Sequence, residues 1–228
     1  MTHRIGAILQ RDGKTFAMVT RIPAGIVTPE TLEKVASVAR KYQVPVVKLT
    51  SGQRIMLIGL RDQDLDPVFR DLGESAGKET APCVKYVETC LGTDVCKYGV
   101  QDSIEMGLEL EKDYYGIAFP AKLKLGVSGC LRCCGESYVR DIGLVGTTKG
   151  WTVIFGGNSG RRPSLGREIA KDLSRADAFD LVHRLLEYYR NNAQPKERTA
   201  RFLERIGFEQ LRSELLTLLP YIRLEDAR

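Results

Sequence analysis

Lys122-Leu123-Lys124-Leu125-Gly126-Val127-Ser128-Gly129-Cys130-Leu131-Arg132-Cys133-Cys134-Gly135-Glu136 runs an alternating segment straight into a cysteine group. Leu123, Leu125 and Val127 alternate with Lys122, Lys124 and Gly126, the period of a strand with one apolar face. Upstream, Thr89-Cys90-Leu-Gly-Thr-Asp-Val-Cys96-Lys97-Tyr98-Gly99 adds a C-x5-C pair. Cys130 and Cys134 read as C-x3-C, although spacing alone leaves Cys133 in competition with Cys134. Two cysteine pairs separated by a middle segment can supply the four thiolates that an iron–sulfur cluster requires.

Free cysteines also occur as small buried hydrophobes, and structural zinc is the rival metal. Zinc knuckles favour about two to four intervening residues, so C-x5-C fits zinc poorly. Leu-Gly-Thr-Asp-Val between the first pair and Ser-Gly before Cys130 are small, turn-forming stretches that let backbone N–H groups approach sulfur, as cluster thiolates use them.

The 228 residues suffice for one large or two small domains. Apolar and charged contents of 43% and 28% are those of an ordinary globular protein. The N-terminus is too polar for a signal peptide, and no apolar run approaches the roughly 20 residues that span a bilayer. A cytoplasmic setting is therefore expected, where six cysteines point to metal, redox or buried-thiol roles rather than to disulfides. The net charge of +5 comes without a dense basic run and interleaved aromatics, which excludes a typical nucleic-acid surface and suits small anions held at particular points.

Thr15 to Ile22 is β-rich and ends at Pro23-Ala24-Gly25. Thr28-Pro29-Glu30 opens a helix: threonine as N-cap, proline at the first helical position, an acid in the first turn. Leu32, Val35, Ala36, Ala39 and Tyr42 keep helical spacing and predict one buried face. Val44 to Thr50 and Arg54 to Leu60 predict strands joined at Ser51-Gly52, and Asp64 to Leu72 a short helix. The segment to Gly73 thus reads as an open sheet with helices on one face. Glu74 to Pro82 is small and polar, a candidate linker. Beyond it, Gln101 to Lys112 reads as helix despite Gly107, and Asp141 to Val145 with Trp151 to Phe155 as a hairpin around Thr147-Thr148-Lys149-Gly150. From Ala176 the chain reads as helical, with Phe179, Val182, Leu185 and Leu186 on one face. A further helix near Arg198 to Ile206 stops at Gly207, and a last one ends before Pro220.

Lys122 and Lys124 share a strand face. An isolated Lys-x-Lys is most often a solvated face, but this strand leads to Cys130, where two ammonium groups can bind and polarise an oxyanion. Lys48, Arg54 and Lys85 each read singly as a surface base beside a glycine turn or ahead of a cysteine. The loop Gly156-Gly-Asn158-Ser-Gly-Arg161-Arg162-Pro163 can cradle carboxylates or phosphates through backbone N–H groups, yet lacks the placement of a dinucleotide fingerprint. His3 and His183 have no ligand-like context.

These residues resemble the siroheme-dependent sulfite and nitrite reductases. The likeness lies in C-x5-C followed by Ser-Gly-Cys-x3-Cys, in Thr50-Ser-Gly-Gln-Arg54, Cys96-Lys-Tyr-Gly-Val-Gln-Asp102, Lys122-x-Lys124, Asp141-Ile-Gly143 and Gly156-Gly-Asn158, and in the tail from Tyr188 to Gly207. It extends over nearly the whole chain and is greatest to small, assimilatory-type sulfite reductases and to the siroheme portion of NADH-dependent nitrite reductases. It implies an α+β fold: a ferredoxin-like half domain over 1–74, then an α/β siroheme- and [4Fe-4S]-binding domain over 75–228 with C-terminal helices.

The resemblance also implies a [4Fe-4S] cluster on Cys90, Cys96, Cys130 and Cys134, favouring Cys134 over Cys133, with the Cys134 thiolate bridging to the siroheme iron. Lys122 and Lys124 match family lysines that grip the anion and supply protons. Lys85 stands where the family has an arginine, and Arg54 is the fourth base. Siroheme carries carboxylates, for which Arg132, Arg140, Asn158, Arg161 and Arg162 are candidate partners. The implied reaction is six-electron reduction of sulfite to sulfide, with nitrite to ammonia as the alternative and a non-catalytic electron carrier or redox sensor as the other class. Many family members carry two copies of the two-domain unit; the single copy here predicts at least a homodimer. A chain without a flavin or nicotinamide module predicts a separate electron-donor protein, and no nucleic-acid or membrane partner is expected. Cys83 and Cys133 are extra thiols, read as buried or adjacent to the cluster.

Overall fold

The computed structural model describes residues 6–73 and 82–217, and the chain divides into two units between Ala81 and Pro82. His3, the candidate linker apart from Pro82, and the end of the last helix lie outside the described residues.

The first unit contains β1 (Ala7–Leu9), β2 (Phe16–Val19), α1 (Pro29–Lys41), β3 (Val46–Leu49), β4 (Ile55–Leu60) and α2 (Leu65–Leu72). The sheet order is β1-β2-β4-β3, antiparallel throughout. Thr28 caps α1 as its sequence predicts, its hydroxyl accepting from the Thr31 N–H at 3.3 Å. Val35 and Val38 pack with Met18, Leu57 and Val68 in the core. Leu32, expected on that face, is 46% exposed: it lies in the first turn, and the buried strip begins a turn later.

The second unit contains β5 (Val84–Thr89), α3 (Gly92–Val95), α4 (Ser103–Tyr114), β6 (Leu123–Ser128), β7 (Ile142–Thr147), β8 (Gly150–Phe155), β9 (Arg167–Leu173), α5 (Arg175–Asn192), α6 (Thr199–Ile206) and α7 (Phe208–Thr217). The sheet runs β5-β6-β7-β8-β9; the first three strands are parallel and the last two antiparallel. Asp102 and Ser174 cap α4 and α5 through bonds from Glu105 N–H and Asp177 N–H. Leu123, Leu125 and Val127 are fully buried with Met106 and Leu110 of α4 and Leu181 and Leu185 of α5. Each such side chain contributes about 1.5–3 kcal/mol. A slip of one residue would drive Lys124 into that core, so the apolar triplet fixes the strand's register.

The opposite face of β6 and β7 is built differently. Gly126 lies directly opposite Gly143, and the return segment from Gly135 to Arg140 runs over this pair. A Cβ on Gly126 would collide with the Gly135 carbonyl, and one on Gly143 with the Ser137 carbonyl. The two glycines let the chain double back from β6 to β7 in contact with the sheet.

Candidate functional site

Thr89 pairs with Val127, so β5 and β6 deliver Cys90 and Gly129-Cys130 side by side at their carboxyl ends, where parallel sheets place ligands. The Cys90 N–H donates to the Val127 carbonyl at 3.2 Å. The Gly129 N–H donates to Cys90 Sγ at 3.1 Å, and the Ser103 hydroxyl stands 3.1 Å from the same sulfur. Between Cys90 and Cys96 the chain makes the single turn of α3, closed by Cys96 N–H to the Gly92 carbonyl at 3.2 Å. Val100 and Gln101 both donate to the Gly129 carbonyl, at 2.9 and 3.0 Å, which sews the first cysteine loop to the second. A Cβ on Gly129 would meet the Gln101 carbonyl at 2.5 Å, so only glycine permits this seam.

The second loop turns on Cys133 N–H to the Cys130 carbonyl (3.1 Å) and Glu136 N–H to the Cys133 carbonyl (2.9 Å). Cys133 and Glu136 have φ of 55° and 51°, left-handed conformations that cost energy in non-glycine residues and persist where surroundings enforce them. Gly135 N–H donates to the buried Ser128 hydroxyl at 3.0 Å. Across the seam, the Arg132 guanidinium lies 3.8 Å and Lys97 Nζ 4.9 Å from the Tyr98 ring centroid, a cation–π link between the loops.

Cys90, Cys96, Cys130 and Cys133 are half-buried, Cys134 is exposed and Cys83 is buried. Among the described residues, no three His, Cys, Asp or Glu side chains converge on a single metal-ion position. A [4Fe-4S] cluster does not ask for that, because its four thiolates bind different irons. Thiols on two mutually hydrogen-bonded loops, with donors already aimed at one sulfur, fit a cluster. Beside the second loop, Cys133, Glu136, Tyr138, Val139 and Leu165 line a cleft of about 490 Å³.

The clamp candidates stand at the other end of β6. Lys122 is exposed just before the strand and Lys124 half-buried within it. Lys85 lies in a bulge of β5, where the register against β6 slips between Val84 and Val87. Lys124 Nζ is 5.6 Å from the Tyr86 ring centroid. Burial, with Arg140, Lys122 and Arg198 nearby, holds the Lys124 ammonium below the ordinary lysine range. Thus the three lysines lie at one end of β6 and Cys90, Cys96, Cys130, Cys133 and Cys134 at the other, while Cys83 lies at the lysine end, its carbonyl accepting from the Leu123 N–H at 2.9 Å.

Arg140 is 3% exposed. Its Nε and Nη2 donate to Glu88, Nη2 also to Glu136 at 2.6 Å, and Nη1 to the Ser159 hydroxyl at 3.2 Å. It therefore ties β5 to the second cysteine loop and to the glycine-rich loop. Asn158 shapes that last loop, accepting from Gly160 N–H and donating to the Arg162 carbonyl, while Arg161 and Arg162 are exposed. Arg54, in the first unit, is 7% exposed at the start of β4. His183 meets the Tyr114 hydroxyl through Nδ1 at 2.6 Å.

Glu88 was not legible as a site residue, because β5 itself was not foreseen. Burial pushes its carboxyl up from 4.5 to about 7, against the opposing pull of Arg140. The folded state thus holds a proton that the unfolded chain releases. Stability from this group is fully present below pH 4.5 and is lost as pH rises through about 7, a change on the order of 3 kcal/mol. Denaturant titration of the cofactor-free protein should show this decline, and Glu88→Gln should remove it; an unchanged slope in the variant would refute the shift.

Residues 80–220 match the profile of the nitrite and sulphite reductase 4Fe-4S domain, and residues 8–75 that of the nitrite/sulfite reductase ferredoxin-like half domain. The chain belongs to the nitrite and sulphite reductase family. It is 48% identical over 211 residues to the assimilatory-type sulfite reductase of Nitratidesulfovibrio vulgaris, covering 92% of this chain and 97% of that one. To the NAD(P)H nitrite reductase of Bacillus subtilis it is 38% identical over 215 residues, 94% of this chain but 27% of that protein. The fold matches Mycobacterium tuberculosis NirA (TM-score 0.79, 15% identity, 100% of this chain and 45% of that one). It matches dissimilatory sulfite reductase I as well (TM-score 0.80, 15% identity, 94% and 71%). As a family member the chain is an enzyme of the sulfite and nitrite reductase type, with a [4Fe-4S] cluster and siroheme as its cofactors. Among the described residues no helix is long and apolar enough to cross a membrane.

Proposed function

We propose that this reductase converts sulfite to sulfide in a six-electron reduction; the alternative reading is the same chemistry on nitrite, giving ammonia. The carrying observation is a pair of cysteine loops, with a sulfur already receiving a backbone N–H, at the carboxyl ends of β5 and β6, the latter strand bearing Lys124 and directly preceded by Lys122. Similarity over 97% of an assimilatory-type sulfite reductase, against 27% of a nitrite reductase, favours sulfite as the first substrate.

Cys90, Cys96, Cys130 and Cys134 would hold the cluster and Cys134 would also hold the siroheme, and these groups would supply stored electrons and an open iron site. The chain's own residues bind the anion and move protons. Lys85, Lys122 and Lys124 offset its charge. The lowered pKa of Lys124 makes its ammonium the readier proton donor as oxygens leave as water. Arg132, Arg161 and Arg162 are exposed cations for siroheme carboxylates, Asn158 holds their loop in shape, and Arg140 braces both loops from beneath.

The six residues of β6 separate Lys122 from Gly129, about 20 Å of extended chain. A lysine side chain does not span that length. In this reading two copies make the enzyme, one bringing the clamp to the cysteine loops of the other, so that a homodimer has two composite sites. Electrons come from a separate donor protein, in the cytoplasm where thiols stay reduced.

Protein produced with siroheme available should show a strong Soret and a red band, and with a reduced dye should turn over sulfite at a higher kcat/KM than nitrite. Higher kcat/KM for nitrite reverses the substrate order. A cofactor-loaded protein that reduces neither anion is a carrier or sensor instead.

A further inference from the structure

β6 meets β5 along its length, but β7 begins only at Ile142, opposite Leu125. One residue earlier, at Lys124, Asp141 supplies the partners that a strand would. Its Oδ2 accepts from the Lys124 N–H at 2.8 Å, and its own N–H donates to the Lys124 carbonyl at 2.9 Å. Asp141 is 0% exposed, where a carboxylate needs full compensation. The compensation comes from the C-terminal helices. Arg198 donates through Nε at 3.0 Å to Oδ1 and through Nη2 at 2.6 Å to Oδ2, and the Thr199 hydroxyl donates to Oδ1 at 2.7 Å. Just before them, Lys196 N–H donates to the Pro120 carbonyl at 2.8 Å, holding the approach to the same strand.

We propose that Asp141 and Arg198 are positioning residues for Lys124: the carboxylate clips the lysine's backbone, the arginine fork fixes the carboxylate, and the C-terminal helices thereby set where the lysine stands. The inference rests on the proposed place of Lys124 in the anion clamp. It gives Asp141-Ile-Gly143 and the start of α6 a task at a site they do not themselves form. The groups that face Lys124 are Asp141, Arg198, Arg140, Lys122 and Glu88, with the Tyr86 ring alongside.

Arg198→Met and Arg198→Lys in the cofactor-loaded enzyme test the proposal. Arg198→Met should leave the visible spectrum unchanged and raise KM for the anion by about ten- to a hundred-fold, with a smaller fall in kcat. Removing a positive charge beside Lys124 should also move the high-pH limb of kcat/KM upward. Arg198→Lys keeps the charge without the fork, so it should restore the limb while leaving part of the KM defect. Independently of turnover, amide hydrogen exchange at Lys124 should quicken in Arg198→Met about ten-fold or more, while Leu144 in β7 keeps its protection. Wild-type KM, pH limb and Lys124 exchange in Arg198→Met would overturn the proposal. Uniform loss of protection along β6 and β7 would overturn it too, leaving only a structural role. If Arg198→Met does not fold, Thr199→Val, which removes one hydrogen bond and no charge, makes the KM and exchange tests at smaller amplitude. A wild-type enzyme inert towards both anions defeats the proposed function instead, and the exchange at Lys124 still decides the positioning.

Discussion

Cys130→Ser should bring bound iron and cluster absorption to background and abolish reduction of both anions. Cys130 follows the glycine whose N–H reaches Cys90 Sγ, so its thiolate sits at the seam of the two loops. Serine offers a hard, protonated oxygen where the cluster requires a soft thiolate. Fold should survive, since the loop's own bonds run through the backbone of Cys130, Cys133 and Glu136. Cys133→Ser is the matched control: if Cys134 is the fourth ligand, that variant keeps its iron and colour. Iron analysis and visible absorption on the two proteins decide the matter. A coloured Cys130→Ser protein, or a colourless Cys133→Ser protein, would reverse the ligand assignment.

Two inactive variants should restore each other. Lys122→Ala/Lys124→Ala lacks the clamp and Cys134→Ser lacks a thiolate, so each alone should be inert. If sites are shared between copies, a mixed dimer joins the intact lysines of one chain to the intact cysteines of the other. In an equal mixture half the dimers are mixed, each with one of two sites whole, so about a quarter of wild-type activity returns. Turnover after co-expression, with molecular mass by light scattering, measures this. No recovery from a mixture that demonstrably forms mixed dimers would show that one chain completes its own site.

Much of this architecture was legible because its signals are local. Thr28-Pro29 starts α1, and Gly207 stops α6 at φ 85°; the alternation of Leu123, Leu125 and Val127 fixes β6. Three strands gave no such signal. β1 has three residues, and β9, Arg-Glu-Ile-Ala-Lys-Asp-Leu, carries charge along an edge strand. In β5, Glu88 and Thr89 occupy buried positions, and alternation fails when both faces are covered and one holds an ion pair. The cysteine ligands were legible as types at a spacing. Their relation to Lys122 and Lys124 was not, because neighbours along a sequence lie far apart once the chain is extended. Nor were Ser103 beside Cys90 and Arg198 on Asp141, contacts between residues 13 and 57 positions apart that no local pattern encodes.

The glycine pair beneath the return segment bears on how fast the enzyme can work. With Gly126 facing Gly143, main chain lies directly on main chain where the second cysteine loop returns to the sheet, and the buried Ser128 and Ser137 hydroxyls tie the two together. For a redox centre held there, the reorganisation that slows each electron's hop would owe little to movement of this part of the chain.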